Sequence, residues 1–298
     1  MGKHFIFADT HHGSEKVVGY LKKQAGKNGK LNVSSTGDFF CYAANNTAPK
    51  HLNHAWNKFY KKKDKAGMKK QESDWVKKVV APNTRKSGED LQELKPHLKG
   101  GRVNAIMGNS DYIVGGITEK RDGAGLREML GGADSAVNHV SEIQVRKQDN
   151  TTFVYLPHDA RLLSRYQGQD AATVKAKLYK DRAYKDRLKR AAYKVDKNNS
   201  DNIVILMHEA PKPERWYGKD TPKSKQRLPG PLKAHYDSVL EEVLERNKGK
   251  NVHLFHGHLH ESTKKRYQHK GVKTRLLDIG DVVAYDAVKG TYRTRRAA

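Results

Sequence analysis

The sequence predicts a layered α/β domain, and three observations carry that prediction. Short apolar runs recur along the chain, helical stretches fall between them, and side chains able to do chemistry sit just past the runs' C-terminal ends. Runs rich in β-branched and aromatic residues and bounded by turn residues read as buried strands. The predicted strands are 4–8, 31–35, 102–107, 140–145, 152–156, 203–207, 252–256, 274–279 and 282–285. Helices are expected near 14–25, 52–81, 124–130, 170–197 and 232–247. Alternation of the two kinds of element implies a sheet covered by helices. In 170–197, Val174, Leu178, Tyr184, Leu188, Ala192 and Val195 share one face of a single expected helix, and Lys177, Asp181 and Lys185 intrude on it.

Composition narrows the function. The 298 residues carry a net charge of +25, yet 14 Tyr, 7 Phe and 3 Trp supply enough apolar surface to offset ordering entropy, so the chain is expected to fold. One domain over 1–298 is expected, with basic helical insertions near 50–100 and 160–200. Each of those two segments carries a net +8, with +5 over 212–235 and +6 over 261–298. What remains is close to neutral and holds most of the apolar runs. No run approaches the roughly 18 apolar residues of a membrane span, and the opening MGKHFIFADTHHG lacks a secretory h-region. Cys41 is a lone cysteine, so neither a disulfide nor a C-x-x-C zinc or redox site is expected. A cytoplasmic location fits best.

The chemistry lies at predicted strand ends. Asp9-Thr10-His11 follows the first strand and Gly37-Asp38 the second, while Gly108-Asn109-Ser110-Asp111 follows the third. His208 ends the run 203–207, and Gly257-His258-Leu259-His260 follows 252–256. Residues at the carboxyl ends of parallel strands converge on one sheet edge. There, two carboxylates, one Asn carbonyl and four imidazoles would form a thiolate-free set suited to Mn, Fe, Zn or Ni. Their number suffices for two metals sharing one carboxylate, the usual apparatus for in-line attack at phosphorus.

As an ordered set, D-x-H, G-D, G-N-x-D, H and G-H-x-H resembles the calcineurin-like metallophosphoesterase superfamily over residues 9–260. The resemblance implies a four-layer α/β/β/α sandwich. It further implies that Asp9, His11 and His260 hold one divalent ion, that Asn109, His208 and His258 hold a second, and that Asp38 bridges them. Manganese is the first expectation for both ions, with Fe, Ni or Zn as alternatives. The implied activity is a metal-dependent phosphoric ester hydrolase that attacks phosphorus with a metal-bound hydroxide.

One position departs from the family pattern. Ser110 stands where the family usually carries a His that serves the leaving group, with Asp111 placed to orient it. Serine cannot act as a general acid near neutral pH, which forfeits a contribution of roughly 10²–10⁴-fold. A phosphodiesterase is therefore expected over a phosphomonoesterase. His12 and His158 are the candidates to compensate, although a surface or supporting role is the default for each. His158 also follows an apolar run and offers an alternative to His208 as ligand; the segment VILMHEAPKP gives His208 the preference.

Other features take plainer readings. Gly123-Ala124-Gly125 lacks the strand and glycine spacing of a dinucleotide fingerprint. His256 is expected to face structure, and Tyr179, Tyr184 and Tyr193 are expected to serve helix packing. Lys61-Lys62-Lys63, Lys264-Lys265-Arg266 and Arg293 with Arg295-Arg296 could track phosphates, so nucleic acid is a possible partner beside the phosphoester substrate, and a membrane is not. The alternative function is a catalytically weak cationic scaffold of the same fold, binding RNA, DNA or a partner protein.

Overall fold

Side-chain alternation along the strands fixes the layers. In the computed structural model, which describes residues 2–8, 10, 14–37, 78, 81–106, 108, 134–209, 230–257, 266–277 and 280–297, the first strand β1 (Lys3–Phe7) turns Phe5 and Phe7 to one face and Ile6 to the other. Phe5 and Phe7 pack with Val17, Val18 and Leu21 of α1 (Ser14–Asn28) and with Leu91 of α2 (Ala81–Gln92). Ile6 meets Phe153 and Tyr155 of β6 (Thr151–Leu156) and Val204 and Leu206 of β7 (Asn202–Met207). The intervening residues of those strands, Val154, Leu156, Ile203, Ile205 and Met207, face a third cluster. There they meet α3 (Ala160–Arg165), α4 (Ala171–Lys180), α5 (Arg182–Lys197) and α6 (Gly230–Arg246). Helices, sheet, sheet and helices are thus stacked in that order, in keeping with the expected four-layer α/β class.

Among the described residues each sheet has six strands. The first is ordered β12-β11-β1-β2-β3-β4, with β2 Asn32–Ser35, β3 Val103–Ile106, β4 Val137–Val140, β11 Asp281–Asp286 and β12 Thr291–Arg296. The second is ordered β5-β6-β7-β8-β10-β9, with β5 Gln144–Gln148, β8 Asn251–His256, β9 Arg266–His269 and β10 Val272–Leu276. Within each sheet four consecutive strands run parallel, β1 to β4 and β6-β7-β8-β10; antiparallel pairing extends the first sheet at its β1 flank and the second at both flanks.

Several expectations need correction. The run 140–145, expected as one strand, is the end of β4 and the start of β5, which belong to different sheets. The helix expected over 170–197 is two helices. Asp181, which intruded on the apolar face, ends α4 and caps α5, accepting from the Tyr184 amide at 3.1 Å. All six expected core residues of that stretch are buried. Strands β9 and β12 were not expected, because RYQH and TYRTRR are polar. Both are edge strands, and the exposed Arg293, Arg295 and Arg296 on β12 suit an edge that must not recruit another chain. Helix α2 lies C-terminal to the helix expected at 52–81; 52–77 and 124–130 lie outside the described residues.

A polar chain crosses the apolar layer between the sheets. Tyr155 donates to Ser34 Oγ at 2.8 Å, Ser34 donates to His4 Nε2 at 2.8 Å, and His4 Nδ1–H donates to Gln148 Oε1 at 2.7 Å. One direction of donation satisfies all of them with a neutral imidazole, which also stacks on Phe153 at 4.1 Å between centroids. Burial lowers the His4 pKa to about 4, against the pull of Gln148. The unfolded chain binds this proton near 6.5 and the folded chain near 4. His4 therefore stabilises the fold fully above pH 6.5, and the contribution is lost as pH falls through 6.5 toward 4. Between pH 7 and pH 5 the wild-type chain should lose about 2 kcal/mol more stability than His4→Gln, measured by urea unfolding at both pH values. Equal losses would show that His4 is not the group titrating.

Candidate metal centre

The C-terminal ends of β1, β2 and β3 share one edge of the first sheet, and those of β6, β7 and β8 share one edge of the second. Of the expected site residues, His208 and His158 are described. Asp9, His11, His12, Asp38, Asn109, Ser110, Asp111, His258 and His260 lie outside the described residues, as does Cys41. Among the described residues no three His, Cys, Asp or Glu side chains gather as a metal site.

The backbone that leads into the expected ligands is described, and it converges. Gly37 precedes Asp38, Gly108 precedes Asn109 and Gly257 precedes His258. The Gly257 amide donates to the His208 carbonyl at 3.0 Å. Across the sheets, His208 Nδ1 lies 3.0 Å from the Thr36 carbonyl, and the Thr36 amide donates to Phe7 O at 3.0 Å. A Cβ added to Gly37 would sit 2.6 Å from Gly108 N and 2.8 Å from His208 Nδ1. Gly37 also adopts φ +114, so glycine is required there twice over, by conformation and by space. The recurring glycine before G-D, G-N and G-H is thereby explained at Gly37 as close approach of backbones from both sheets.

The Thr36 contact fixes the chemistry of His208. A carbonyl only accepts, so Nδ1 carries the proton and the lone pair resides on Nε2. Metal-ligating histidines adopt this arrangement, donating the other ring N–H to a carbonyl or carboxylate. His208 is fully buried. An imidazole in that tautomer, on an edge where a glycine cradle brings three strand ends together, suits a metal ion.

His158 and Glu209 lie two residues beyond the last pair of β6 and β7, Leu156 with Met207. Both are buried, and His158 Nδ1 bonds the Glu209 carboxylate. The other carboxylate oxygen accepts from the Tyr236 hydroxyl on α6. A buried carboxylate is costly unless hydrogen-bonded, and two donors meet that need. Beside it, His235 Nδ1 is 2.8 Å from the Tyr184 hydroxyl of α5, and burial brings the His235 pKa down to about 4. His158 is thus a held, interior side chain and not a surface one. Glu209 and Tyr236 were missed from sequence. The available signal was an acid directly after His208, at the end of a fully apolar strand. His256 is buried, with Nδ1 3.0 Å from the Gly257 carbonyl, as expected of a residue facing structure.

No family model matches the sequence, and no curated protein matches it. Among solved structures, TT1561 of Thermus thermophilus is similar at 10% identity and a TM-score of 0.47, with both chains covered completely. The sulfate thiohydrolase SoxB of Thermus thermophilus, solved with glycerol, is similar at 10% identity and a TM-score of 0.42. That likeness covers 95% of this chain and 41% of SoxB. Both likenesses are distant and concern the course of the chain alone. Among the described residues no helix is long and apolar enough to cross a membrane.

Proposed function

We propose that the protein is a dinuclear metal-dependent phosphoesterase acting on phosphodiesters. The observation that supports this reading best is His208, held by the Thr36 carbonyl in a tautomer that suits a metal ligand, with the backbone before Asp38, Asn109 and His258 gathered around it. In this reading Asp9, His11 and His260 hold one ion, Asn109, His208 and His258 the other, and Asp38 both. Such a pair of ions supplies a nucleophile from water at neutral pH and neutralises charge developing on the phosphoryl oxygens. The chain's own part is to orient. Thr36 aims the His208 ring, Glu209 and Tyr236 hold His158, and Asp111 is assigned to orient the group at position 110. Manganese is the first choice of ion.

Ser110 sets the test. Without an acid there, rates should depend steeply on leaving-group pKa, so that aryl diesters react far faster than alkyl monoesters. Metal analysis of the purified protein, combined with a series of aryl and alkyl esters, measures this. Ser110→His should flatten the dependence through Asp111. A flat dependence in the unsubstituted enzyme would assign the acid to His12 or His158, and His158→Gln would tell the two apart. Absence of hydrolysis of every mono-, di- and cyclic ester with metal bound would refute the proposal.

A further inference from the structure

We propose that the outward face of α5, centred on Tyr193, is a binding surface for single-stranded nucleic acid. This helix carries seven basic residues and two acids over residues 182–197. Tyr184, Leu188, Ala191, Ala192 and Val195 are buried on its inner side. Opposite them, Arg187, Lys189, Arg190, Lys194 and Lys197 are exposed, and Tyr193 is 57% exposed among them. Residues three and four apart are neighbours on a helix, which puts Lys189 and Arg190 one turn before Tyr193 and Lys197 one turn after. An aromatic ring bordered by cations is the arrangement that takes a base on its face and phosphates on its flanks. Tyr193 was expected to pack, as was Tyr179, which is 38% exposed on α4; of the three tyrosines considered, Tyr184 packs.

The charges of this face are unspent. Elsewhere on the same layer acids are matched: Glu241 of α6 binds Lys175 at 2.5 Å and Lys270 at 2.6 Å, Asp237 binds Lys233 at 2.5 Å, and Glu242 binds Arg246 at 3.0 Å. Among the described residues, Lys189, Arg190, Lys194 and Lys197 form no ion pair; Asp186, one turn before Lys189 and Arg190, and Asp196, one turn after Tyr193, offset only part of the face's positive charge. Arg190 and Lys194, four apart, and Lys194 and Lys197, three apart, repel one another. The helix dipole accounts for Lys194 and Lys197 in the last turn; it gives no reason for Lys189, Arg190 or an exposed ring. A polyanion would relieve the repulsion, and a base would cover Tyr193. A duplex hides the faces of its bases in the stack, so the ring favours a single strand. This surface is independent of the metal site, whose expected ligands lie on other segments.

Binding of a labelled single-stranded oligonucleotide to the full chain, followed by fluorescence anisotropy in chelator from 50 to 200 mM salt, tests it. Four phosphate contacts predict a log–log slope near −2.8 and about a 50-fold loss of affinity over that range. Replacing Lys189, Arg190, Lys194 and Lys197 together by Gln should remove most of the slope. Tyr193→Ala should weaken binding about 5- to 150-fold and leave the slope unchanged. Replacing Arg293, Arg295 and Arg296 on β12 by Gln removes three charges from another surface; this control should leave the Tyr193 effect intact. Unaltered affinity in either α5 variant would overturn the proposal. A duplex of the same sequence binding as tightly would do so too, by showing electrostatic attraction with no base stacking. Small-ester hydrolysis, assayed separately with metal, should be equal in the α5 variants and the unsubstituted protein.

Discussion

Gly37→Ala should destabilise the fold by about 3–5 kcal/mol, a large part of the roughly 5–15 kcal/mol that holds a typical domain together. Two costs combine. A φ of +114 is foreign to a residue with a Cβ and costs about 1–3 kcal/mol. The Cβ then meets Gly108 N at 2.6 Å, Gly108 Cα at 2.9 Å and His208 Nδ1 at 2.8 Å, and the backbone atoms of a packed strand end cannot step aside cheaply. Gly29→Ala is the natural control, since Gly29 also has positive φ, +71, but nothing lies within 4 Å of an added Cβ. It should cost only the conformational part. Urea unfolding of the two variants measures the difference, and equal losses would mean that the space beside His208 is not tight.

Asp38→Ala should strip both metals and lower ester hydrolysis by at least about a thousandfold, because a carboxylate shared by two ions takes both with it and metal activation is worth several kcal/mol. His11→Ala should mainly weaken one ion. Elemental analysis of the two variants, at matched protein concentration, separates the roles. Two full equivalents of metal in Asp38→Ala would show that Asp38 does not bridge.

The layers were readable where apolar runs are near-continuous, as in 152–156 and 203–207, since burial on both faces leaves that signature. They were unreadable at the edges. TYRTRR on β12 pairs along one side with β11 and packs Tyr292 against the core, but its three arginines meet solvent, so no apolar run marks it as a strand. The run 140–145 misled because only the exposed Ser141 and Glu142 mark the point where the chain leaves one sheet for the other, too short a polar signal to break the run. Asp181 misled in the opposite sense: an acid on an apolar face looked like a defect and is a cap. At the site, ordered motifs named the expected ligands. The supports were hidden because Thr36 acts through its carbonyl, which any residue carries, and Glu209 through partners 51 and 27 positions away.

The pairing of β1 with β11 has a consequence for how the chain comes to be folded. Lys3 lies opposite Asp286 and Phe7 opposite Val282, so one flank of β1 is closed by a strand far later in the sequence. All of the second sheet is encoded in between. During synthesis the hydrogen-bonding groups on that flank of β1 stay uncovered until residues 281–286 leave the ribosome, and an uncovered strand flank is a template for pairing with other chains. Completion of the first sheet therefore waits for residues 281–286 and has a large loop to close, which makes it slow by topology. In the cell, the interval between the emergence of β1 and that of β11 is when the nascent chain most needs protection by a chaperone.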